Sequence, residues 1–104
     1  MKVELLYFEG CPSAQIAEGN LREALAAEGV GEEVILVRVE SDEEARYLRF
    51  PGSPTIRLEG DDAFSEAEER GAWALGCRTY VTPEGLRGSP TVEMLRLALR
   101  RRGG

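Results

Sequence analysis

The spacing of apolar residues changes several times along the chain, and each change marks an element. Residues 3–8 (Val3-Glu4-Leu5-Leu6-Tyr7-Phe8) put Val3, Leu5 and Tyr7 on one face of an extended segment and Leu6 and Phe8 on the other. A strand apolar on both faces belongs in the middle of a sheet, covered by helices. From Pro12 the period becomes helical: Ala14, Ala17, Leu21, Ala24, Leu25 and Glu28 recur on one stripe, with Ile16 at its margin. Pro12 suits a first helical turn, where its missing N–H costs nothing, and Gly29 suits the position just past the end. Val34 to Val39 is a β-branched second strand. Strand, helix, strand within the first forty residues predicts a right-handed unit with parallel strands.

The second half is less regular. Ser41 followed by Glu44 is a capping box, predicting a short helix through Ala45 and Leu48. Phe50-Pro51-Gly52-Ser53-Pro54 ends it, and Thr55 to Leu58 reads as a third strand. Between Gly60 and Gly76 the pattern is weak. Asp61, Asp62, Glu66, Glu68 and Glu69 read as solvated charges, Ser65 with Glu68 suggests a capped helical turn, and Phe64 and Trp73 stand out as large apolar groups. Arg78-Thr79-Tyr80-Val81 alternates and predicts a fourth strand, hairpinned to the third. Pro83-Glu84-Gly85 is a turn. Ser89 as N-cap and Pro90 at the first position open a last helix, whose stripe is Val92, Leu95, Ala98 and Leu99. The predicted order is β-α-β-α-β-β-α in one domain over residues 1–104: an α/β fold with a central mixed four-stranded sheet and helices on both faces.

Charge narrows the function classes. The net charge of −6 argues against nucleic acid, because phosphate binding needs a clustered basic surface. The basic run Arg100-Arg101-Arg102 falls at a helix end, where cations complement the dipole. No apolar run approaches the roughly 20 residues that span a bilayer. Met1-Lys2-Val3-Glu4 enters a strand directly, without the charged and apolar segments of a signal peptide, so the expectation is a cytoplasmic protein.

There are two cysteines, Cys11 and Cys77, and no histidine, which excludes a Cys–His catalytic pair and a mixed Cys/His zinc site. Gly10-Cys11-Pro12 places Cys11 where a strand passes into a helix. A thiol there lies among unpaired backbone N–H groups at the positive end of the helix dipole, and both favour the nucleophilic thiolate. The bland reading of Cys11 is a small buried hydrophobe. For Cys77, a fourth strand antiparallel to the third would begin at the sheet end away from Cys11. A disulfide needs Cα atoms within about 7 Å, so that topology makes Cys77 a buried structural cysteine. The long Gly60–Gly76 connection can instead wrap back and bring Cys77 to Cys11. In that case Trp73 becomes a wall of the site.

The element order resembles the thioredoxin fold. Gly10-Cys11-Pro12 falls at the strand-one–helix-one junction. Ser53-Pro54-Thr55 stands directly before strand three, where that fold carries a cis-proline facing the active cysteine. More narrowly, the Gly-Cys-Pro start, Gly52 to Ile56 and Gly76 to Tyr80 are similar to a group of small, poorly characterised bacterial thioredoxin-family proteins, some labelled as mercury-resistance associated. The resemblance implies a catalytic Cys11 and a partner-binding stretch at Pro12, Ser53, Pro54 and Thr55, where an extended peptide or a glutathione-like backbone pairs by strand addition. It implies no cofactor, and partners that are proteins or low-molecular-weight thiols and disulfides. Thioredoxins carry Cys-x-x-Cys, but the second position here is Ala14, so Cys11 lacks its usual resolving thiol. What this leaves is monothiol chemistry or a pair completed by Cys77. The alternatives are a soft-metal or metalloid (mercury or arsenic) thiolate binder and a non-enzymatic adaptor.

Overall fold

A computed structural model describes residues 1–64 and 73–103. In chain order the elements are β1 (Val3–Tyr7), α1 (Pro12–Ala27), β2 (Val34–Arg38), α2 (Asp42–Leu48), β3 (Thr55–Leu58), β4 (Asp61–Asp62), β5 (Tyr80–Thr82), β6 (Gly85–Arg87) and α3 (Val92–Gly103). The main sheet has the order β2-β1-β3-β4. β1 and β2 run parallel with Val3 opposite Val34. β3 is antiparallel to β1, with Leu5 opposite Ile56.

The faces of β1 segregate as its sequence demands. Val3 and Leu5 join Ala17, Leu21, Ala24 and Leu25 of α1, Ile56 and Leu58 of β3, and Leu95, Ala98 and Leu99 of α3 in the larger core. Leu6 faces the other way, into a smaller cluster with Val39, Ala45 and Phe50. Helices therefore cover both faces of a mixed four-stranded sheet. Gly29 follows α1 in the left-handed region (φ 68°), and Ser41 Oγ accepts the Glu44 N–H at 3.0 Å to open α2.

Three expectations are corrected. The fourth strand is Asp61–Asp62 and not Arg78–Val81. Glu59 and Gly60 both take positive φ (56° and 85°), which makes the two-residue turn that hairpins β3 into β4. Tyr80–Thr82 pairs instead with Gly85–Arg87 in a separate hairpin, across the Pro83–Glu84 turn. α3 starts two residues late: Thr91, not Ser89, is its cap, with Thr91 Oγ1 accepting the Met94 N–H at 3.1 Å. Asp62 is not solvated but buried. Glu66, Glu68, Glu69 and the suggested Ser65 cap lie outside the described residues. Among the described residues, no helix is long and apolar enough to cross a membrane.

Candidate functional site

Cys11 is the N-cap of α1, with extended backbone (φ −71°, ψ 114°) and no capping hydrogen bond from its side chain. The chain reaches it through Gly10 at φ 90°, and the Cys11 N–H returns to the Phe8 carbonyl at 3.3 Å. Glycine is needed at position 10 because that backbone conformation is strained for any side chain. Cys11 is 8% exposed, while Cys77 is exposed, and both are free thiols. α1 has no acidic residue in its first turn, so no carboxylate there opposes a thiolate at the N-cap. Pro12 is exposed beside the cysteine.

Ser53 links the Cys11 turn to Cys77. The Ser53–Pro54 bond is cis. The Phe8 N–H donates to Ser53 Oγ at 3.3 Å, tying the residue before the proline to the chain that leads into Cys11. On its other side, the Ser53 N–H donates to the Gly76 carbonyl (2.8 Å) and the Ser53 carbonyl accepts the Arg78 N–H (3.0 Å). Cys77 is thereby the parallel bridge partner of Ser53.

Cys77 is exposed and bridged to Ser53, so the expectation of a buried structural Cys77 is overturned.

What anchors this segment is a buried polar network that the sequence reading missed. Arg78 donates from Nη1 to Asp62 Oδ2 at 2.7 Å and from Nη2 to Asp62 Oδ1 at 3.1 Å. It also donates to Thr55 Oγ1 (3.1 Å) and to the Phe64 carbonyl (2.6 Å). Its guanidinium carbon lies 4.6 Å from the centre of the Tyr80 ring. Thr55 Oγ1 donates to the Gly52 carbonyl at 2.6 Å, and the Tyr80 hydroxyl donates to the Pro54 carbonyl. Burial pushes the Tyr80 phenol well above its usual range, so it stays a donor.

Desolvating an ion pair costs about as much as the pairing returns, so the pair by itself is weak evidence for stability. Here the guanidinium reaches Thr55 of β3, Asp62 of β4 and the Phe64 carbonyl just past β4, besides the Tyr80 ring of its own segment, and the consequence is placement. The available signal was alternation. Tyr80 points inward, so Arg78, two residues earlier, points inward too and demands a buried acid, while Thr79 between them and Cys77 before them point out.

The expected partner-binding stretch is thus differently furnished. Thr55 is fully buried, Pro54 is buried, and both backbone groups of Ser53 are engaged by the chain's own residues 76–78. Gly88 closes the other flank: a Cβ there would lie 2.2 Å from Ser13 Oγ in the first turn of α1. Trp73 is not a wall of this site. It lines a cleft of about 380 Å³ with Leu48, Arg49, Arg57 and the β3–β4 turn, which includes neither cysteine. Among the described residues, no cluster of three or more Cys, Asp or Glu side chains could hold a metal ion. No protein-family model, no curated protein and no solved structure matches this chain.

Proposed function

We propose that this is a thioredoxin-like protein that carries out thiol–disulfide exchange through Cys11, with Cys77 as its second thiol. The observation that carries the reading is Ser53, whose hydroxyl holds the strand leading to Cys11 and whose backbone pairs with both neighbours of Cys77. The sheet order β2-β1-β3-β4, the helix-capping cysteine and the cis peptide before Pro54 support the same reading.

In the proposed reaction, the Cys11 thiolate attacks one sulfur of a partner disulfide. A bond forms between Cys11 and that sulfur, the partner's S–S bond breaks, and the second partner sulfur leaves as a thiolate that takes up a proton. The Cys77 thiolate then attacks Cys11 Sγ and expels the first partner thiolate. The partner disulfide gains two electrons and becomes two thiols, and the protein loses two electrons as a Cys11–Cys77 disulfide. An external thiol restores the reduced protein.

The test uses glutathione disulfide and the Cys77→Ser variant. Intact-mass analysis is expected to show a stable glutathione adduct mapping to Cys11, while the parent protein passes on to an internal disulfide. Adducts confined to Cys77 in the parent protein, with Cys11 unmodified in both, would sink the proposal.

A further inference from the structure

β2 is an edge strand of the main sheet, and among the described residues nothing pairs with its outer side. Its sequence, Val34-Ile35-Leu36-Val37-Arg38, has no lysine, proline or bulge of the kind that protects an open edge. Ile35 and Leu36 are each 46% exposed, one on either face of the sheet. A long apolar edge is a template for another strand, and the register shows which strand fits.

The Val39 N–H donates to the Tyr7 carbonyl at 2.7 Å. Residues 35, 37 and 39 therefore turn their backbone groups toward β1, and Val34, Leu36 and Arg38 turn theirs outward. A copy of the same strand laid antiparallel across a two-fold axis keeps its faces only if the paired residue numbers sum to an even value. Centring the axis on Ile35 pairs Ile35 with Ile35, Val34 with Leu36, Glu33 with Val37 and Glu32 with Arg38. The Val34–Leu36 and Glu32–Arg38 pairs are those with outward backbone groups, so they carry the hydrogen bonds. Centring on Leu36 instead sets Arg38 against Val34 and Glu32 against Glu40. Of the two, the Ile35-centred register keeps Ile35–Ile35 and Val34–Leu36 apolar and sets acid against base at both ends, with Glu33 facing Val37 between them, whereas the Leu36-centred one sets acid against acid.

We propose that two copies of this chain associate through their β2 edges in this register, joining two four-stranded sheets into one of eight strands. Both charged ends already have local partners: Glu32 meets the Met1 amino group, and Arg38 meets Glu9 and Glu40. The interchain pair adds to these clusters. This surface is independent of the two thiols.

Light scattering on the full chain is expected to give twice the 11.4 kDa chain mass. Glu32→Arg and Arg38→Glu should each shift the protein toward monomer, and combining the two should restore the dimer. Thermal melts confirm that each variant is folded. In a Cys11→Ser/Cys77→Ser background, Ile35→Cys should cross-link to its counterpart under mild oxidation, because the two Cα atoms of that non-hydrogen-bonded pair lie about 4.5 Å apart. A monomeric parent protein, or a dimer that neither charge variant weakens and that Ile35→Cys fails to cross-link, overturns the proposal. So does dimerisation only with a different protein.

Discussion

The carboxylate of Asp62 grips the guanidinium of Arg78 through both oxygens, at 2.7 and 3.1 Å, with each side chain 3% exposed. Sixteen residues apart in sequence, the two bind the 76–78 segment to β4. Replacing one member leaves a buried charge unpaired, so Asp62→Ala or Arg78→Ala should each cost about 3–5 kcal/mol in urea unfolding. The double change to apolar residues of similar volume should cost less than the sum of the singles. Additive losses would show that the pair does not act as a unit.

Gly52 sets the geometry beneath Ser53. Its φ is 144°, and an added Cβ would lie 3.0 Å from Arg78 Cβ and 3.2 Å from the Arg78 backbone. The obstruction is the Arg78 backbone and the Cβ fixed to it, which cannot swing aside. Gly52→Ala should destabilise the protein by about 1–3 kcal/mol from strain alone. It should also loosen the bridge to Cys77, read as faster hydrogen exchange at the amides of Ser53 and Arg78. Unchanged exchange at both amides would contradict this.

Glu28, just past α1, ties that helix to α3. It accepts from Arg100 at 2.9 and 3.0 Å and from Arg96 at 2.8 Å. The hydrogen bonds from Arg100, then those from Arg96, lower its carboxyl from the usual 4.5 to about 2. Between those values the unfolded chain binds the extra proton, so stability rises with pH through that window. The contribution is complete above about 4.5 and lost as pH falls through about 2. Glu28→Gln should lower the melting temperature at neutral pH, and its difference from the parent protein should fade as the pH approaches 2. A constant difference across the range would remove the ion pairs as its cause.

Thr91 caps α3 through Oγ1, while Ser89, two residues earlier, has no such hydrogen bond in the described structure. Thr91→Ala should cost about 1 kcal/mol by chemical denaturation, and Ser89→Ala close to nothing. The reverse ranking would place the start of the helix at Pro90.

Whatever was written locally in the chain could be read from it. The two-faced apolar run of β1, the Gly10-Cys11-Pro12 junction, the α1 stripe, the Ser41 cap and the Thr55–Leu58 strand each depend on neighbours a few residues away. Their periods and caps are properties of the segment itself.

Tertiary structure decided what depended on pairing at a distance. Arg78-Thr79-Tyr80-Val81 alternates equally well against β3 or against Gly85–Arg87, and only the Glu59–Gly60 turn gave β3 its other neighbour. Asp62 looked like one more surface acid because the arginine that buries it lies far along the chain. Cys11 was legible as a helix-capping thiol from its own ten residues. Cys77 acquired its place beside Ser53 only through the bridge between two distant segments, since such pairing leaves no periodic trace in either one.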